Sequence, residues 1–237
     1  VRLIPSELQR TVSRAWLALA AAAALAAVPA QAQRSPAWPD ALLTRTQALA
    51  LVQGLNAEIL ASRSATATLE KWCGDHALAR EPRVVAEVLA GEPVAPTAEQ
   101  RQRLRADSGE VVRFRRVRLR CGGLVLSEAE NWYLPGRLTP EMNRVLETGD
   151  TPFGRVVASL EPHRQTFAAR LLWSPLPRGW ERARRHVPPC RTSGPMAIPA
   201  ALFEHRALVL ARDGRPIAEV HEVYQRGLLA FSPPGPC

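Results

Sequence analysis

An α+β fold built on an antiparallel sheet is what this sequence predicts, and two observations predict it. The first is the order of the hydrophobic periods. Segments with apolar residues three and four apart come first, and β-rich runs dominate the rest of the chain. The second is a pair of hairpin signals, Cys121-Gly122-Gly123 between two β-rich runs and Asp213-Gly214 between two more. Tight Gly-containing turns of this kind join antiparallel neighbours. Helices followed by hairpin-linked strands make α+β.

The elements come in this order. Pro39-Asp40 opens a helix over residues 41–61, where Leu43, Leu49, Leu51, Leu55, Ile59 and Leu60 recur at helical spacing and Asp40 sits near the start. A second short helix is predicted around Ser64–Trp72, and Arg83–Leu89 reads as a strand. Thr97, with Gln100 three residues on, makes a capping box for a short basic helix. Val111–Arg120 and Leu124–Leu134 are the strands of the first hairpin. Thr139–Leu146 is predicted helical, with Pro140 at the first helical position, where a missing N–H does no harm. Gly149-Asp150-Thr151-Pro152 then leads into a short segment holding Gly154-Arg155. Gln165–Trp173 is predicted as a strand, Pro175–Pro199 as a long loop rich in Pro, Gly and Arg, and Arg206–Ala211 with Pro216–Tyr224 as the second hairpin.

Composition narrows the function classes. With 46% hydrophobic and 22% charged residues in 237, a disordered chain, a collagen-like repeat and a multi-span membrane protein are all excluded. The N-terminus reads as a secretion signal. Arg2, Arg10 and Arg14 precede the uncharged apolar run Ala15–Val28, and Pro29-Ala30-Gln31-Ala32 supplies an A-x-A site with cleavage expected before Gln33. The apolar run is shorter than the roughly 20 residues a spanning helix needs. Residues 1–32 are therefore expected to be a signal peptide, residues 33–237 one domain, and the location periplasmic or secreted, with no stable membrane insertion after cleavage. The formal net charge of +9 favours acidic partners, and export argues against nucleic acid.

Four cysteines, Cys73, Cys121, Cys190 and Cys237, permit disulfides in an oxidising compartment, with three possible connectivities. Cys237 could reach back to Cys190. The spacing contains no C-x-x-C, and no His pair stands at i, i+4, so zinc and thioredoxin-like chemistry are not supported. No metal or cofactor is expected.

The chain also lacks a nucleophile elbow, a phosphate-cradling loop and a dinucleotide fingerprint. What stands out is charge on predicted strands: Arg116 and Arg118, then Glu128 and Glu130, then Glu219, His221 and Glu222. With a period of two, Arg116 and Arg118 share a face, Glu128 and Glu130 share a face, and Glu222 points opposite to Glu219 and His221. A sheet side facing water has this pattern. So does a sheet face that holds an anion with arginine and offers a carboxyl for proton transfer.

The stretch from Arg116 to about Trp173, with the final hairpin, resembles the chorismate–pyruvate lyases and their relatives, which include the UTRA-type ligand-sensing domains of GntR regulators. Four segments carry the resemblance: Arg116 with CGGLVLSEAENWYLP (Cys121–Pro135), RLTPEMNRVLETGDTPFGRVV (Arg137–Val157) with its TPLGR-like Thr151–Arg155, DGRPIAEVHEVY (Asp213–Tyr224), and more weakly Ser64–Glu70. The resemblance implies a single antiparallel sheet flanked by helices and enclosing a small-ligand pocket. It also implies a cofactor-independent elimination of pyruvate from chorismate to give 4-hydroxybenzoate. Carried over, Arg116 would hold a carboxylate, the backbone N–H of Phe153 would bind another carboxylate oxygen, and Glu222 would be the catalytic acid. Ala65 stands where the lyases carry a pocket methionine and Asn131 where they place an arginine.

Chorismate is a cytosolic metabolite, so export pulls against the lyase activity. Two functions are therefore expected from the sequence. One is an exported chorismate lyase-like enzyme acting on chorismate or a related carboxylated ring. The other is a non-catalytic periplasmic binding protein for a small anionic aromatic or cyclic ligand. A scaffold in envelope assembly is a third class. A scaffold would leave Arg116 and Glu222 unburied, whereas an enzyme needs both in one pocket.

Overall fold

Both predicted hairpins form, and their turns show why. Gly122 has φ of +54°, and a Cβ there would come within 2.9 Å of the Ala79 Cβ, so this turn admits only glycine without strain. The structure is a computed structural model, and it describes residues 37–182 and 194–235. Its strands are β1 (Val84–Val88), β2 (Arg113–Cys121), β3 (Leu124–Tyr133), β4 (His163–Leu171), β5 (Ala201–Leu210) and β6 (Pro216–Gln225). Among the described residues they make one antiparallel sheet in the order β1-β2-β3-β6-β5-β4. The α+β class with a single antiparallel sheet is thus as expected.

Helices α1 (Leu42–Ala61), α2 (Ala65–Asp75), α3 (Ala98–Arg103), α4 (Pro140–Thr148) and α5 (Phe153–Val156) flank the sheet. Their starts reflect local chemistry. The Ser64 hydroxyl caps α2 by accepting from the Ala67 N–H. The Thr97/Gln100 capping box forms in both directions, at 3.2 and 2.9 Å. Thr139 caps α4, with Pro140 at its first position. Asp40 sits at the start of α1, where its carboxylate accepts two hydrogen bonds from Arg45.

Several details depart from the sequence reading, among them strand β5, which begins at Ala201, five residues before the predicted Arg206. The buried stripe of α1 is Thr44, Ala48, Val52, Leu55 and Ile59, while Leu43 and Leu60 face solvent. Both sets have helical spacing and share Leu55 and Ile59; Thr44, Ala48 and Val52, rather than Leu43 and Leu60, complete the buried stripe. Strand β4 begins two residues earlier than predicted, at His163, and its largely exposed side chains leave it as a sheet edge.

The main core joins Val52, Leu55 and Ile59 of α1 and Leu69 and Trp72 of α2 to Val84, Val117, Leu119, Phe203 and Tyr224 of the sheet. Each such fully buried aliphatic side chain contributes roughly 1.5–3 kcal/mol. A second cluster sets Met142 and Leu146 of α4 against Tyr133, Ile217 and Ala218. On the other sheet face Trp132 and Leu134 pack with Leu104, which ends α3. A Cys73–Cys121 disulfide ties the end of α2 to the end of β2 and picks one pairing from the possibilities open in the sequence. The leader expected at residues 1–32, the Cys190–Cys237 contact and the middle of the 175–199 loop lie outside the described residues.

Candidate ligand-binding site

The alternation of β2 decides the site. Val117, Leu119 and Cys121 are buried, so the odd-numbered residues of this strand point inward and Arg115 goes with them. Arg115 is 6% exposed. Its Nη2 donates to the Gly149 carbonyl at 3.1 Å and its Nη1 to the Thr151 carbonyl at 3.4 Å, while Nε has no partner. Burial pushes Arg115 below the ordinary arginine value, opposed by Tyr133, yet an arginine stays cationic at neutral pH. Its directly opposed residue on β3 is Asn131, 4% exposed, whose Oδ1 is also without a partner.

These two side chains line a cavity of about 60 Å³ together with Val220 and Glu222 of β6, Arg164 of β4, Phe153 and Gly154 of α5, and residues 64–66 at the start of α2. One buried water needs roughly 10–15 Å³, so the space holds several waters or a small organic group. The roof is close-fitting. A Cβ on Gly154 would stand 3.3 Å from both the Ser64 Oγ and the Thr66 Oγ1. An ion pair between Arg155 and Glu70 ties α5 to α2 above it. A more open pocket of about 390 Å³ lies beside the cavity, sharing Arg63, Ser64, Thr66, Gly154 and Pro162 with its lining and extending to Glu161.

The far end of the cavity is a second charged cluster. Arg164 Nη2 lies 2.6 Å from Glu222 Oε2, an ion pair whose N–H groups do not aim cleanly at the oxygen. The Tyr224 hydroxyl donates to the same carboxylate oxygen at 2.9 Å. Burial works against the charged form of Arg164, but Glu222 and Tyr224 outweigh it and raise the guanidinium above its ordinary value. Burial, and then the Glu222 charge, push the Tyr224 phenol well above 10. Behind this pair His205 is fully buried, with Nε2 2.7 Å from the Asn56 Oδ1. Burial first, and the Arg164 charge second, lower its pKa to about 4. At neutral pH it is therefore an uncharged imidazole donating from Nε2.

Of the residues expected to form the site, Glu222 and Phe153 line this cavity and Arg116 does not. Arg116 is 52% exposed on the opposite sheet face, 3.9 Å from Glu130. It cannot share an enclosed ligand with Glu222. The reason is the two-residue period: Arg115 and Arg116 are adjacent, so one faces in and the other out. The alternation of Val117, Leu119 and Cys121 carried that information. Ala65 and Asn131 both line the cavity, whereas Arg164 and Arg115 were missed.

The remaining strand charges lie on the other sheet face, most of them in partly exposed pairs. Arg118 meets Glu128 at 2.9 Å, Arg120 meets Glu87 at 2.8 Å, and His221 Nε2 stands 3.2 Å from Glu204. Glu219, opposite in face to Glu222, is buried under α3, where Arg103 binds it through two contacts of 2.8 Å.

The chain is 44% identical, over 198 residues and 83% of each sequence, to the uncharacterized protein y4mC of Sinorhizobium fredii (strain NBRC 101917 / NGR234). It belongs to the y4mC family. No family model matches the chain. Among solved structures, it is similar to the ligand-binding domain of a regulator assigned to the GntR family, from Bordetella bronchiseptica. That match has 18% identity and a TM-score of 0.37, and covers 60% of this chain and 82% of that one. It is also similar to the effector domain of PhnF from Mycobacterium smegmatis, with 13% identity, 60% and 80% coverage and a TM-score of 0.39. For the effector-binding domain of the trehalose repressor TreR from B. subtilis the values are 10%, 60%, 90% and 0.34. Superpositions this loose carry no residue correspondence, so in this y4mC-family chain the site rests on its own side chains.

Proposed function

We propose that this protein binds a small organic carboxylate in the cavity between β2, β6, α2 and α5, without transforming it. One observation carries the reading. Arg115 and Asn131, directly opposed and both more than nine-tenths buried, retain a donor and an acceptor that nothing in the described chain satisfies. A buried polar atom left unpaired costs about 1–3 kcal/mol, so a site that keeps two of them side by side is built for an occupant. A carboxylate accepting from Arg115 Nε would balance the guanidinium charge, while the Asn131 Oδ1, itself an acceptor, calls for a donor such as a hydroxyl on the same ligand. Calorimetry with 4-hydroxybenzoate and other aromatic acids tests this. Saturable binding that Arg115→Ala weakens supports it, and no binding across the series overturns it.

Elimination of pyruvate from chorismate is a second reading, favoured by the presence of Glu222 and Phe153 in one cavity. It requires Glu222 to deliver a proton, yet the Glu222 carboxylate is already engaged by Arg164 and Tyr224. Incubating the protein with chorismate and measuring both 4-hydroxybenzoate and pyruvate separates the readings. Equal yields of the two products, lost in Glu222→Gln, would make it a lyase.

We also propose export to the periplasm or medium, on the leader pattern of residues 1–32. The Cys73–Cys121 disulfide supports an oxidising compartment. Among the described residues no helix is long and apolar enough to cross a membrane. Cell fractionation that leaves the chain in the cytosol, with both thiols reduced, would overturn this location.

A further inference from the structure

We propose that Glu222 is a built-in counter-ion that sets the charge of the ligand, so that the cavity takes a monocarboxylate and rejects a dicarboxylate. This rests on the carboxylate-binding reading above.

Two arginines with their side chains nine-tenths or more buried line the same small space, Arg115 from β2 and Arg164 from β4. In the sheet order β2-β3-β6-β5-β4 their strands are four steps apart, about 19 Å at the backbone, so the guanidiniums reach in from opposite sides. Two cations at the two ends of a cavity would select a ligand with a carboxylate at each end. Glu222, on the strand between them, removes one of those two subsites. Its Oε2 sits 2.6 Å from Arg164 Nη2, where a second ligand carboxylate would otherwise bind, and the Tyr224 hydroxyl holds it there. Arg115 has no such partner: its fork meets only the carbonyls of Gly149 and Thr151. A second ligand carboxylate would therefore lose the Arg164 charge and meet the Glu222 charge in a desolvated site, where like charges repel strongly. In this role Glu222 acts through its negative charge, not by giving up a proton.

The test is the ratio of affinities within matched pairs, benzoate against isophthalate and butyrate against succinate, measured by calorimetry on the whole protein at pH 7.5. The wild type is expected to favour the monocarboxylate of each pair by at least about tenfold. Glu222→Gln should move that ratio toward the dicarboxylate by about tenfold or more, since it frees Arg164. The double variant Arg164→Gln/Glu222→Gln removes both charges and should bring the ratio back toward the wild-type value. Equal or tighter binding of dicarboxylates to the wild type overturns the proposal. So does a folded Glu222→Gln protein with the wild-type ratio. If Glu222→Gln does not fold, the wild-type ratio and the double variant decide. A double variant that favours dicarboxylates would show that the pair does not set the preference. If neither member of either pair binds the wild type, the carboxylate-binding reading itself falls. That outcome is distinct from benzoate and isophthalate binding equally well.

Discussion

The two faces of the central sheet use the same residue types for opposite ends. On the solvent side Arg116, Arg118 and Arg120 meet Glu130, Glu128 and Glu87 in simple cross-strand pairs. On the inward side Arg164 meets Glu222, but Arg115 and Asn131 keep unsatisfied atoms. An exposed ion pair contributes about 0–1 kcal/mol, because water solvates either partner alone nearly as well. A buried charge has no such alternative, so every buried atom without a partner is informative. Charge on a strand therefore says little about function until its face is known.

The largest way to break this comparison is to leave a buried charge unpaired. Glu222→Ala should destabilise the protein by about 3–5 kcal/mol, because Arg164 then stays buried without its counter-ion. A denaturant titration giving less than about 1 kcal/mol would mean that the inward face behaves like the outward one.

The next effect is a pH dependence located at His205. Its folded pKa of about 4 lies below the ordinary 6.5, so the unfolded chain binds the proton more tightly. The stabilisation is complete above pH 6.5 and is lost as pH falls through about 4, a total near 3 kcal/mol. His205→Gln, which keeps a donor for Asn56 and does not titrate, should flatten the melting temperature over that window. An unchanged slope in the variant would place the acid sensitivity elsewhere.

Smaller effects separate neighbouring arginines. Arg115→Ala should weaken carboxylate binding by about 1.5–3 kcal/mol through loss of a charge-assisted pair. Arg116→Ala, one residue away, should leave that affinity in place and change stability by less than about 1 kcal/mol. Calorimetry on both variants sharpens the contrast between faces, and the opposite ranking would restore Arg116 as the ligand-holding residue.

Much of the scaffold was legible because its signals are local. The Thr97/Gln100 box, Pro140 at its helix start and the two glycine turns each depend on a few consecutive residues, and each appears where expected. The site was only half legible. Glu222 and Phe153 were named through a family resemblance, which also set Ala65 at a pocket position and Asn131 where the lyases place an arginine. Arg115 was hidden among the arginines at 113, 115, 116, 118 and 120. Choosing between adjacent ones needs the inward direction of the strand, which its buried Val117 and Leu119 disclose. Arg164 carried no local signal at all. It lies on an edge strand and reaches Glu222 only because β4 pairs with β5 and β5 with β6.

The sequence by itself determined the α+β class, the antiparallel hairpins and the helix starts, since turn chemistry, capping and hydrophobic period act over a few residues. Tertiary structure decided which of two adjacent arginines faces the cavity, which two cysteines meet, and that Glu222 has a buried cation beside it. Those outcomes depend on strand order and on which sheet face is covered by helices. Both are set by packing between segments far apart in the chain, and no window of residues contains them.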